Sequence, residues 1–139
     1  MTRPQYTSLG HSIPPHRFGM LNERTNPIKD GESLRAALAN DGYLLLRGVL
    51  DPRDVLAARE EVFSRLVEVG EIKPPALEGM PTGASRRAEL FPDLGAFWQS
   101  VCEDPALRRV THAGQMIEIM ERILDGPVRP FDFLWLRAM

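Results

Sequence analysis

Few side chains in this 139-residue chain are of the types that do chemistry, and their spacing limits what they can do. The histidines are His11, His16 and His112, and the single cysteine is Cys102. His11 and His16 lie among Pro4, Pro14 and Pro15. A metal ligand needs fixed geometry and supporting hydrogen bonds, which such a segment does not promise. Both read as solvated loop residues. His112 falls between two helical patterns beside Arg108 and Arg109 and reads as a structural or surface residue. Cys102 follows an apolar helix face with no histidine near it, so it reads as a small buried hydrophobe and not as a nucleophile. One cysteine makes neither an internal disulfide nor a zinc site. The sequence therefore names no catalytic residue and no metal ligand. What remains is anion recognition and pocket walls. Arg86 and Arg87 follow a long loop, and either suits an acidic ligand group or plain solvent. Trp135 and Arg137 share one face of a final alternating segment. Arginine is costly to bury unpaired, so on an aromatic face Arg137 calls for an anionic partner. A packed aromatic and an edge arginine are the plain alternative.

The totals bound the classes of function. Seventeen basic against nineteen acidic residues give a net charge of −2, with no basic excess for nucleic acid or an anionic membrane. No apolar run approaches the length that spans a bilayer, and the first residues hold no apolar signal core. The expectation is a soluble cytoplasmic protein. A chain of this length buries roughly 68% of its unfolded surface when compact, enough for a real core.

Elements follow from caps and periods. Residues 1–29, with Pro4, Pro14, Pro15 and Pro27, read as an irregular arm. Asp30 caps a helix carrying Leu34, Ala37 and Leu38 on one face, and Gly42 closes it. Tyr43 to Arg47 reads as a short buried strand. Asp51-Pro52 opens a long helix with Val55, Leu56, Val62, Phe63, Leu66 and Val67 as its apolar stripe, and Gly70 ends it. Residues 71–85 read as loop, long enough to be functional. Helices are expected over Pro92–Val101, from Asp104-Pro105 onward, and after Gly114. The last of these carries Met116, Ile117, Met120, Ile123 and Leu124, with Gly126 as its stop. Val128 to Met139 alternates with aromatics and reads as a strand.

The run Asp41-Gly42-Tyr43, Leu44 to Gly48, and Leu50-Asp51-Pro52 resembles the N-terminal region of the phytanoyl-CoA dioxygenase family. The stretch Leu124-Asp125-Gly126-Pro127 followed by Phe133 to Ala138 is similar to the approach to that family's first iron-binding motif. The likeness covers about residues 30–139 in order and element type.

The resemblance implies an α+β chain: the helical N-terminal part and first strands of a double-stranded β-helix, a jelly-roll or cupin-like barrel. It implies a dioxygenase that uses Fe(II) and 2-oxoglutarate to hydroxylate a small organic molecule or an acyl thioester. The family holds iron by a His-x-Asp pair and a distant His, a facial triad with open positions. Here Ile13, Phe18 and Gly114 stand two places after the histidines, so the pattern is not met. The expected position lies just beyond Met139. Residues 30–139 are thus expected to be the front of a longer enzyme, inactive alone and binding neither iron nor cosubstrate. Trp135, Arg137 and Arg87 are the residues that the resemblance sets near 2-oxoglutarate. The alternatives are a non-catalytic α+β interaction module, pairing through its last strand, and a pseudo-enzyme that keeps the fold without the triad.

Overall fold

The computed structural model describes residues 6–24 and 30–136, and for Leu94 the backbone alone. Four of the helices begin at short polar caps. Helix α1 spans Gly31–Asp41; Asp30 accepts from the Ser33 N–H at 3.2 Å, and Gly42 closes the helix with φ 76°. That left-handed conformation suits a residue without Cβ. Helix α2 spans Pro52–Glu68, with Asp51 accepting from the Arg53 N–H at 2.8 Å and Pro52 in the first turn. A short helix α3, Arg87–Leu90, follows the long loop. Helix α4, Leu94–Cys102, is capped by Asp93, which accepts from the N–H groups of Gly95 and Ala96. Helices α5, Pro105–His112, and α6, Gly114–Leu124, complete the set among the described residues.

Helix α2 runs through the middle and packs on α5, on α4 and on the 3-10 turn Ala76–Glu78. The main core is Val69, Phe97 and Val101, with Val62, Phe91, Trp98 and Leu136 packed around it. Phe97 meets Phe91 and Trp98 edge to face at 4.8 and 5.2 Å. Helix α1 buries Leu34 and Ala37 and packs on α6, which buries Ile119. Arg35 bolts the two together: its Nη1 donates to the Arg122 carbonyl at 2.6 Å and lies 3.2 Å from Asp125.

Several expectations need correcting. The α2 stripe is narrower than its pattern, because Val55 and Leu56 remain 40% and 52% exposed while Ala58 and Leu66 are buried. In the first turns of α2 Asp54 reaches Arg109 of α5 at 3.6 Å while Val55 and Leu56 stay exposed, so apolar period alone does not decide which side chains are covered. Helix α6 is stopped by Asp125 in the left-handed region (φ 58°), not by Gly126. A short polar side chain tolerates that region better than most, and Asp125 lies 3.2 Å from Arg35.

The arm is not featureless where it is described. Strand β1, Thr7–Ser8, pairs antiparallel with β2, His11–Ser12. Strand β3, Glu23–Arg24, pairs parallel with β4, Leu45–Leu46, which is all of the Tyr43–Arg47 run that forms a ladder. Side chains fix that register. Arg24 reaches Asp41 at 2.8 Å, Arg47 reaches Glu23 at 2.9 Å, and the Asn22 N–H donates to Tyr43 Oη at 2.8 Å.

The strand expected over Val128–Met139 does not form in its described part, residues 128–136. Alternation favours an extended chain, but a strand also needs a neighbouring backbone to pair with. Phe131, Phe133 and Trp135 are 80%, 64% and 77% exposed, while Leu136 packs on the core. The architecture is mixed helix and strand, with small sheets at the margins of a helical body. No helix among the described residues is long and apolar enough to cross a membrane.

Candidate functional site

Among the described residues a concavity of about 910 Å³ lies between α4 and the extended segment 132–136. That matches the size of small-molecule sites. The smaller clefts, about 450 Å³ beside α2 and α5 and about 590 Å³ between α1 and α6, carry mostly charged side chains and no aromatic ring.

One wall of the groove is α4. The Asp93 cap sets its first turn, Gly95 and Ala96 keep that turn low, and Trp98 stands on the same side. The opposite wall is the segment anchored by Leu136, from which Phe133 and Trp135 project. Their rings are tilted to each other by 58° with centroids 6.1 Å apart. The far end of this segment is pinned at His112. Arg108 Nη1 lies 2.7 Å from His112 Nε2, and Thr111 Oγ1 lies 2.6 Å from its Nδ1. The Phe131 carbonyl lies 3.0 Å from the same Nε2. His112 is thus part of a scaffold, as its sequence position suggests.

Arg87 forms the end of the groove. Its Nη2 donates to Glu71 Oε1, and its guanidinium lies 4.5 Å from the Trp98 ring and 5.3 Å from Phe97. Ser85 Oγ donates to the same Glu71 oxygen at 2.6 Å. The long loop makes this meeting possible. Lys73 N–H donates to the Met80 carbonyl and Thr82 N–H to the Glu71 carbonyl, both at 2.9 Å, and Thr82 Oγ1 donates to the Gly70 carbonyl at 2.6 Å. Gly79, at φ 63°, lets the loop lie on α2, where an added Cβ would come within 2.7 Å of Phe63 Cε2.

Two of the three residues picked from sequence, Arg87 and Trp135, therefore border one volume. Arg137 lies outside the described residues. Arg86, adjacent to Arg87, instead pairs with Glu89 at 3.1 Å on the surface. Cys102 is buried beneath the groove. Sequence reasoning missed Glu71, Trp98 and Phe133. Only Phe133 carried a local signal, its place beside Trp135 in the alternating run. Glu71 reaches Arg87 through a fold of the loop that no spacing rule encodes.

Among the described residues no group of three or more His, Cys, Asp or Glu is arranged to hold a metal ion. His11 and His16 are exposed in the arm, and His112 is engaged by Arg108 and Thr111. These residues do not fit an iron centre. No family model, no curated protein and no solved structure gives a significant match to this chain.

Proposed function

We propose that residues 30–139 are the helical outer layer of an oxygenase similar to the phytanoyl-CoA dioxygenase family, dependent on Fe(II) and 2-oxoglutarate and acting on a small molecule or acyl thioester. The observation that carries this reading is the groove, in which Arg87, Trp98 and Trp135 bound a volume of small-molecule size. Further support comes from the order of elements that the resemblance rests on. The left-handed Gly42, the short strand Leu45–Leu46 and the capped start Asp51-Pro52 occur in that order.

In this reading the barrel strands, iron ligands and cosubstrate anchor are not among the described residues. The part of this chain is to wall a chamber, orient what enters it and keep water out. Arg87 has its charge met by Glu71, so it shapes the end of the chamber and lends no free cation to a carboxylate. No step of the iron chemistry runs through these side chains.

The test is turnover of the complete reading frame that encodes these residues. With iron(II), oxygen and 2-oxoglutarate it should form succinate above a chelated control, whereas the 139 residues alone should form none. A full-length protein that never converts 2-oxoglutarate, with or without candidate substrates, overturns the assignment.

One observation favours a second reading, a non-catalytic interaction module. The exposed rings of Phe131, Phe133 and Trp135 sit on an extended segment without a ladder partner among the described residues. Light scattering on the purified chain separates the two. A module of that kind stays monodisperse, while an oxygenase layer deprived of its barrel self-associates.

A further inference from the structure

We infer that the groove binds a small organic ammonium ion, a primary to quaternary amine on a flat or alkyl body. As a substrate class this rests on the oxygenase reading; as a binding site it stands without it. Three features of the lining converge on a cation.

The first is the ring arrangement. Phe133 and Trp135 form an open, tilted pair that lines the groove. Aromatic faces carry negative charge density and attract a desolvated cation. The groove already contains such a contact, because the Arg87 guanidinium lies over Trp98 at 4.5 Å.

The second is that the only cation bordering the groove among the described residues already has a carboxylate partner. Arg87 is paired with Glu71 through Nη2, both side chains are about four-fifths buried, with 20% and 18% exposure, and the one guanidinium nitrogen without a partner, Nε, is itself shut off from solvent. An entering carboxylate or phosphate would have to compete with Glu71 for the guanidinium.

The third is the sign of the remaining charge. Asp93, Glu103 and Asp132 line the groove. Asp93 spends one oxygen on the cap of α4. Glu103 takes Arg108 at 2.7 Å, and Asp132 is approached by Arg129 only at 3.5 Å, with both of those side chains nearly free in solvent. A pair so exposed is worth little and is readily exchanged. Carboxylates at the rim with rings behind them hold an ammonium head and cover its carbon body.

The probe is benzyltrimethylammonium, titrated calorimetrically into the 139-residue chain without metal or cosubstrate. Phenylacetate and benzyl alcohol are the anionic and neutral comparisons. The ammonium ion should bind saturably and at least about tenfold more tightly than phenylacetate. Trp135→Ala and Phe133→Ala, both at exposed positions, should each weaken it about threefold to tenfold while the circular dichroism is unchanged. Asp132→Asn should weaken it less, and added salt should reduce the remaining preference. Phenylacetate binding as well as the ammonium ion, indifference to both ring deletions, or no saturable binding of any probe overturns the inference. Since no turnover is measured, failure here leaves the succinate assay standing, and failure there leaves this binding result standing.

Discussion

Glu71 and Arg87 meet across the mouth of the long loop, and the guanidinium so held lies over Trp98, 4.5 Å from the ring centroid. The pair joins a loop that sequence leaves open to the helix that lines the groove. Both side chains are mostly buried, so each depends on the other for its charge.

Glu71→Gln should therefore do two things. It removes the counter-charge from a largely buried arginine, costing about 2 kcal/mol in urea unfolding, below the loss for a wholly buried pair because some solvent reaches the site. It also frees Arg87 to take an anion, so phenylacetate should gain affinity as benzyltrimethylammonium loses it. A variant that loses stability without any shift in ligand preference would show that Arg87 does not face the ligand.

Acid should loosen the chain through its capped and paired aspartates. Asp41 has its carboxyl held below the usual range, first by the Asn40 side-chain amide at 2.6 Å and then by Arg24 at 2.8 Å. Asp51 is lowered by the Arg53 side chain and backbone N–H, and Asp30 by Ser33. A carboxylate whose folded value is depressed contributes stability above its unfolded value, ~3.9. That contribution fades as pH falls through the lowered folded value. Asp41→Asn should thus be less stable than the parent at pH 7, with the gap closing as pH falls below the unfolded value and through the lowered folded one. Urea midpoints at a series of pH values check this, and a gap constant with pH would refute the charge argument.

The caps were legible because each is a local bargain between one short side chain and the N–H groups two or three residues on. Asp30, Asp51 and Asp104 announce their helices for that reason, and Asp93 does so one residue inside the expected start. Faces were less legible. Val55 and Leu56 have the right period on α2, but whether a residue is covered depends on what the rest of the chain lays over it. Segment 128–136 failed for the same reason in reverse: its alternation encodes an extended chain, and the pairing that makes a strand lies in another segment. Of the groove, sequence held Trp135 and Arg87 as separate suspects. Their shared volume required the Glu71 loop and the Leu136 anchor, both of them tertiary contacts.

Gly79→Ala tests how firmly the loop is seated. The residue has φ 63°, and a Cβ there meets the Phe63 ring, which itself carries the Arg59 guanidinium 4.9 Å from its centroid. Arg59 also donates from Nη2 to the Leu77 carbonyl at 3.0 Å. Left-handed strain and the displaced ring together should cost about 1–3 kcal/mol. Hydrogen exchange should rise at the Lys73 and Thr82 amides, whose bonds close the loop. Unchanged protection there would mean that the loop is held without this contact.

Leu136→Ala separates the groove from the core that supports it. Leu136 is the point at which the extended segment packs on Val69, Phe97 and Val101. Its side chain is half-buried, so truncation should cost about 1–2 kcal/mol, less than a fully buried leucine. The larger effect is on the site. Without the anchor, Phe133 and Trp135 have only the His112 end of the segment to orient them. Ligand affinity should then fall as far as in Trp135→Ala, although both rings are still present. Tryptophan anisotropy should drop in the same variant, because Trp135 gains freedom while Trp98 stays packed on Phe97. If stability falls while affinity and anisotropy hold, the rings are oriented by something other than Leu136, and the groove does not depend on the core in the way argued.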